Sequence, residues 1–177
     1  KSYLEAFFAR RADLNRPLAA VFITHPHIDH TRGLPLVMKD FTVQHLITNG
    51  QARGVDGLVL ESGGEAQELA EQAMKARGAL RTVGRAEVES GKGVTDGQID
   101  PVQCGEVDPK ITVFWGGLKS NTEGWEPKVF SNANNHSLVV RLDVGGHPVL
   151  VTGDLETEAI HSLLAVHGSV LNSDVFL

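Results

Sequence analysis

The sequence predicts a layered α/β domain with a mixed sheet. Short apolar runs suited to strands alternate with segments of helical periodicity, and a glycine-centred hairpin signal follows in the second half. The 177 residues are 41% hydrophobic, which is enough for one core. Because no linker or repeat divides the chain, we expect a single domain over residues 1–177. The chain begins with Lys1 and ends within an apolar run, so we expect a fragment of a longer protein.

The first half of the chain predicts helices and strands in turn. Residues 2–12 place apolar side chains at helical spacing, and residues 19–24 and 43–48 are short apolar runs typical of buried strands. The strongest helix signal covers residues 64–77, with apolar side chains on one face and Gly78 as the stop. These elements predict a strand and helix order that suits parallel pairing.

The second half predicts strands first and a closing helix afterwards. Residues 111–115 form a strand candidate, and residues 137–144 and 148–152 flank a Gly-Gly-His turn that is typical of a hairpin. Residues 155–167 carry apolar side chains on one helical face and end at Gly168. We therefore expect a hairpin followed by a helix that packs against the same sheet.

The composition narrows the class of protein. The net charge of -6 argues against a general nucleic-acid coat, because binding along the phosphate backbone needs clustered Lys and Arg. Cys104 is the one cysteine, so the fold is held by neither a disulfide nor a cysteine zinc site, and we expect a cytoplasmic protein. No apolar run approaches the roughly 20 residues of a spanning helix, so we expect no membrane segment.

Three histidines and a carboxylate lie within six residues, directly after the strand of residues 19–24: His25, His27, Asp29 and His30. Imidazole and carboxylate are the ligand types that borderline divalent metals prefer, and a strand ending in a turn can direct neighbouring side chains into one pocket. Four ligands this close in sequence seldom reach the corners of one tetrahedron, which favours two adjacent ions. Taken singly, each histidine has a structural interpretation, and Asp29 could cap a helix over residues 31–39.

Two later residues extend the candidate site. Asp154 follows the strand of residues 148–152, where a carboxylate either caps the next helix or projects beyond the sheet edge and bridges two cations. His136 precedes the other strand of the hairpin and could supply another imidazole to the first metal. The remaining histidines are interpreted as structural or solvent-facing: His45, His147, His161 and His167.

A stretch without periodicity covers residues 116–135 and leads into His136. Loops this long in a compact domain are commonly functional, so Trp125 could form a substrate-facing wall or, equally, cover the domain's own core. A basic cluster could attract phosphate, although a solvated helix end is the favoured interpretation; its members are Lys75, Arg77, Arg81 and Arg85.

The His-x-His-x-Asp-His pattern of residues 25–30, followed by Thr-Gly-Asp at residues 152–154, resembles the metallo-beta-lactamase fold superfamily. Within it, residues 134–142 and 149–156 look most like the competence-protein ComEC type. The resemblance implies a four-layer αββα sandwich with metals at the sheet edges, here apparently lacking its first strands and its C-terminal end.

The resemblance also implies a ligand set, with two Zn2+ ions expected and Mn2+ or Fe2+ as possible substitutes. The implied ligands are His25, His27 and His136 for the first ion, Asp29 and His30 for the second, and Asp154 between them. Three departures affect this expectation. ComEC-like chains often carry a variable residue where His136 stands, and Arg32 stands where the family usually has glycine. An early glycine-containing strand segment and a final histidine just beyond the strand corresponding to residues 173–177 are both missing.

The function predicted on this basis is a divalent-metal hydrolase that uses a metal-bound hydroxide, with Asp29 or Asp154 as the catalytic carboxylate that orients it. The ComEC-like resemblance favours phosphodiester cleavage of nucleic acid. The wider superfamily suggests a small-molecule substrate with a lactone, thioester or beta-lactam bond. A non-catalytic metal-binding fragment is the alternative from another class, and the sequence leaves the oligomeric state open.

Overall fold

The computed structural model describes residues 1–14, 17–88 and 91–177. Its helices are α1 (Ser2–Arg10), α2 (Ile28–Thr31), α3 (Leu34–Asp40), α4 (Gly64–Ala76), α5 (Arg85–Val88), α6 (Pro127–Phe130) and α7 (Thr157–His167). Its strands are β1 (Pro17–Ile23), β2 (Thr42–Thr48), β3 (Leu80–Thr82), β4 (Lys110–Trp115), β5 (Val139–Val144), β6 (His147–Val151) and β7 (Val175–Phe176). Short 3-10 turns lie at Ala12–Leu14, Gly105–Val107, Ala133–His136 and Gly168–Val170.

The strands form two sheets. The first has the order β1-β2-β3 with parallel pairing, and Ile23 is aligned with Thr48, so β1 and β2 end at the same edge. The second has the order β4-β5-β6-β7, in which β4, β5 and β6 are antiparallel and β7 runs parallel to β6. Val140 pairs with Val151, so the start of β5 lies beside the end of β6.

Three apolar clusters separate four layers. One lies between the first sheet and the helices α3 and α4, where Leu46 and Met74 are fully buried. A second fills the space between the sheets and joins Ile47 of β2 to Val113 and Val140 of the second sheet. The third packs α7 against the outer face of the second sheet. The predicted α/β class with two sheets and flanking helices is confirmed.

Several elements differ from the sequence expectations. The stretch 116–135 contains α6 and the start of a 3-10 turn, and Trp125 packs against the core with its ring stacked on Trp115 at 6.3 Å between centroids. Of the two interpretations of Trp125, the structure therefore favours core. The strand β3 had no sequence signal, because three residues are too few to establish an alternating pattern.

The basic cluster does not form one solvated surface. Arg81 binds Glu87 and Asp96, whereas Arg85 is buried, contacts Glu123 and lies with its guanidinium over Trp115. Both arginines therefore have acidic partners within the fold, and Arg85 departs from the solvated helix end that the sequence predicted.

Candidate metal centre

The candidate centre lies where β1 ends and the chain turns into α2. The extended segment after Ile23 carries His25 and His27, and α2 begins at once with Ile28, so Asp29 and His30 lie in its first turn. The turn is held from the α4 side: the Gly63 N–H donates to the Pro26 carbonyl at 2.9 Å. A side chain on Gly63 would meet the backbone of Pro26 and His27, so the close approach of this segment requires glycine.

The second segment of the centre is the loop after β6, which contributes Asp154. Gly153 has a φ of 58°, and a Cβ at this position would lie 2.9 Å from Thr24 Cβ and 3.1 Å from Ser137 Cβ. The Leu138 N–H donates to the Thr24 carbonyl at 2.9 Å and connects β5 to the end of β1. Three backbone segments therefore meet closely beneath the candidate ligands, and only glycine fits between them.

The imidazole and carboxylate atoms of the two segments approach one another closely. The Nε2 atom of His25 lies 3.1 Å from Nδ1 of His27 and 3.9 Å from Oδ2 of Asp154, and Nε2 of His30 lies 3.2 Å from the same oxygen. One ligand atom from each of His25, His30 and Asp154 lies within 4.8 Å of the others. Two ligands about 2.1 Å from one tetrahedral zinc lie roughly 3.4 Å apart, so this donor set fits a divalent cation.

Asp29 occupies the open side of the cluster. Its Oδ2 lies 3.6 Å from Nε2 of His30, and its side chain is 73% exposed, against 45% for Asp154 and none for His25. The centre therefore has a buried side formed by His25 and an accessible side formed by the two carboxylates. Such an arrangement leaves room for water and substrate beside the candidate ligands.

Burial dominates the electrostatics of His25. Burial, together with the neighbouring His30 and His27, lowers the pKa of the imidazole from 6.5 to about 4, although Asp154 and Asp29 act in the opposite direction. His25 is consequently neutral at pH 7, with a lone pair on one ring nitrogen. Neutral imidazole is the form that binds metals.

The structure does not bring His136 to the other predicted ligands. Its Nδ1 accepts a hydrogen bond from the Leu118 N–H at 3.0 Å, so Nε2 carries the hydrogen and donates to the Phe130 carbonyl at 2.7 Å. The ring is fully buried against Trp125 and Phe130, and burial lowers its pKa. Both nitrogens are used by the backbone, which leaves neither for a metal in this arrangement.

The neighbour of His136 faces the centre instead. Ser137 Oγ lies 3.2 Å from Nδ1 of His25, and Thr24 Oγ1 lies at the same distance from that atom. His136 is the last residue of the 3-10 turn Ala133–His136, and after this turn the side chain that faces the cluster is that of Ser137. The sequence predicted His136 as the ligand from this segment, whereas Ser137 is the residue that contacts His25, and the direction of each side chain before β5 cannot be read from residue type.

A second residue near the centre was also missed. Oε2 of Glu61 lies 3.9 Å from Nε2 of His27, on the side of the ring away from His25. Glu61 belongs to the non-periodic segment between β2 and α4, and no sequence signal singles it out. Glu61 lies close to residues 25–30 because the Gly63 N–H, two residues further on, donates to the Pro26 carbonyl.

The four histidines set aside by sequence lie apart from this cluster throughout the described residues. His147 pairs with Asp174 at 2.8 Å, and His167 is buried beside Phe114. A separate cavity of about 1050 Å³ lies at the ends of β2 and β3 and is lined in part by Lys75 and Lys119. Asn49 also lines this cavity, and its side chain donates to the His136 carbonyl at 3.0 Å, one residue before Ser137 of the candidate centre.

An α/β sandwich with imidazoles and carboxylates gathered at its strand ends is the architecture of a metal-dependent hydrolase. The sequence profile of the metallo-beta-lactamase superfamily matches residues 3–174, and the chain belongs to this superfamily, whose members are generally metal-dependent hydrolases. No curated protein matches the sequence significantly. Among the described residues, every helix is too short or too polar to cross a bilayer.

Proposed function

We propose that this chain is a zinc-dependent hydrolase with a dinuclear centre that cleaves phosphodiester bonds. The observation that supports it best is the convergence of two segments 124 residues apart, in which His30 Nε2 and Asp154 Oδ2 lie 3.2 Å from each other. Partly exposed side chains gather there around the fully buried His25. Imidazole nitrogens and carboxylate oxygens are ligand types that Zn2+ takes in proteins.

The proposed roles follow from the positions of the side chains. His25 and His27 hold one ion through Nε2 and Nδ1, His30 and Asp29 hold the second, and Asp154 lies between the two pairs. When bound, the ions supply an activated water and positive charge for the oxygen of the bond under attack. Asp154 and Asp29 orient that water, because their carboxylates form the accessible side of the centre.

Phosphodiester cleavage is the favoured reaction for two reasons. The ComEC-like pattern in residues 134–142 and 149–156 suggests it. The neighbouring cavity also contributes Lys75 and Lys119, neither of which forms a salt bridge within the described ranges. The net charge of -6 counts against a nucleic-acid substrate, because binding along the phosphate backbone needs clustered Lys and Arg.

The proposal is tested by measuring bound metal and hydrolysis on the same preparation. After chelation and reconstitution with Zn2+, we expect about two ions per chain by mass spectrometry. We also expect cleavage of single-stranded DNA and of a nitrophenyl phosphodiester that chelator abolishes. Hydrolysis of a lactone, thioester or beta-lactam without phosphodiester cleavage would contradict the proposed phosphodiester substrate and support the other substrate class. Absence of bound metal would contradict the hydrolase proposal and support the alternative of a non-catalytic fragment.

A further inference from the structure

Two hydroxyl groups face the buried nitrogen of His25. Ser137 Oγ and Thr24 Oγ1 each lie 3.2 Å from Nδ1, while the Nε2 atom of the same ring faces His27 and Asp154. His25 and Ser137 are fully buried, so water does not compete for the contact between them, whereas Thr24 is partly buried. The hydroxyls come from opposite directions in the chain: Thr24 precedes His25, and Ser137 lies 112 residues further on.

The chemistry of imidazole determines which nitrogen of His25 carries the hydrogen when a cation is bound. A neutral ring carries one hydrogen, and a cation at Nε2 requires that hydrogen to be on Nδ1. The Nδ1–H group then needs an acceptor, because a buried donor without a partner is costly. Both hydroxyl oxygens can accept it, whereas an apolar side chain at either position cannot.

We propose that the hydroxyls of Ser137 and Thr24 are positioning groups that accept the Nδ1 hydrogen of His25 and hold its Nε2 toward the cation site. This inference rests on the proposed metal-dependent function and adds to it two residues that touch neither cation nor substrate. Ser137 thus contributes a hydroxyl at the point where the sequence suggested a third imidazole, from His136.

The backbone around the two hydroxyls keeps them in place. The Leu138 N–H donates to the Thr24 carbonyl, which fixes the segment of Ser137 against the end of β1. The backbone of Gly153 lies close to both residues, because a Cβ built there would be 2.9 Å from Thr24 Cβ and 3.1 Å from Ser137 Cβ. Gly153 is also the residue before Asp154. The backbone that lies against Thr24 and Ser137 therefore also carries the carboxylate of Asp154.

The test uses variants that remove each hydroxyl with little change in shape. We would compare Ser137→Ala, Thr24→Val and the double variant with the parent protein, and use Thr24→Ser as the variant that keeps the hydroxyl. Thr95→Val is the matched control, because the Thr95 hydroxyl donates to the Ile111 carbonyl away from the centre. The measurements are the Zn2+ dissociation constant by chelator competition and the visible spectrum of the Co2+ form.

We expect the double variant to bind Zn2+ about 10–100-fold more weakly, as is typical when groups behind a metal ligand are removed. Its Co2+ spectrum should change, Thr24→Ser should bind like the parent, and Thr95→Val should do the same. Parent-like affinity and spectrum in the double variant would overturn the positioning role and leave the hydrolase proposal intact. A parent protein that binds no cation would overturn both. If Ser137→Ala fails to fold, the Thr24→Val and Thr24→Ser pair decides the question, and equal affinities for these two contradict the inference.

Discussion

Two strand ends meet at the candidate centre, and they differ in how directly their sequences show their roles. After β1, His25 and His27 lie in an extended segment and direct ring nitrogens to within 3.1 Å of each other. Before β5, His136 turns both ring nitrogens to the backbone while Ser137 contacts His25. The comparison shows that a histidine near residues 25–30 contributes to the candidate centre only when the backbone of its own segment directs its ring there.

The largest expected effect comes from the first strand end. His27→Ala should lose most of the bound cation and, with it, hydrolytic activity, because it removes the Nδ1 atom beside His25. Most of the sheet should remain folded, since His27 lies beyond β1 and is partly exposed. Metal content by mass spectrometry and the far-ultraviolet circular dichroism spectrum measure the two outcomes.

The control for this variant is His147→Ala, whose ring pairs with Asp174 and lies away from the cluster. It should keep the parent's metal content and activity. Full metal content in His27→Ala would falsify its assignment as a ligand.

His136→Ala tests whether His136, before β5, has a structural role rather than the metal-binding role proposed for the histidines after β1. The substitution leaves the Leu118 N–H and the Phe130 carbonyl without partners in a buried position, so the free energy of unfolding should fall by about 3 kcal/mol. Because Ser137 rather than His136 faces the cluster, the metal content of the folded fraction should stay unchanged. Denaturant unfolding and metal analysis give the two values, with exposed His161→Ala as control.

The opposite result would restore the role that the sequence suggested. Loss of one ion from His136→Ala with parent-like stability would mean that the ring leaves its backbone partners and binds metal.

Much of the fold and half of the site follow from local sequence. The strands β1 and β2 correspond to apolar runs, the helix α4 to a helical periodicity, and the hairpin of β5 and β6 to a Gly-Gly-His turn, and the structure has all of these elements. The cluster of residues 25–30 could be recognised because ligand types lie together in the chain. The contact with Asp154 could be inferred only from its place after a strand.

The other half of the site depends on distances that no local pattern contains. Ser137 reaches His25 because β5 is fixed to Thr24 through Leu138, and Glu61 reaches His27 because Gly63 contacts Pro26. Both contacts are set by tertiary packing around glycines. A serine or a glutamate in such segments has no feature in the sequence that distinguishes it from a solvent-facing residue.

The burial of His136 predicts a dependence of stability on pH. Burial lowers the pKa of its ring below 6.5 in the folded protein, so the unfolded chain takes up the proton first as the pH falls. The contribution of His136 to stability is therefore fully present above pH 6.5 and is lost between pH 6.5 and the lower folded-state pKa. Denaturant unfolding of the metal-free protein across this range measures it, and His136→Gln should show a shallower dependence. Equal slopes for the two proteins would contradict the buried, neutral state of this ring.

The smallest expected effect concerns Glu61, which lies behind His27. Its Oε2 is 3.9 Å from His27 Nε2, beyond direct hydrogen-bond distance, so it favours a hydrogen on Nε2 mainly through its charge and leaves Nδ1 free for a cation. Glu61→Gln keeps the shape and removes the charge, and it should weaken Zn2+ binding by no more than about 10-fold. Glu65→Gln, on the exposed first turn of α4, is the matched control and should leave the affinity unchanged. A loss for Glu61→Gln as large as that for His27→Ala would show that this carboxylate binds the cation itself, and the donor set would then include a third segment of the chain.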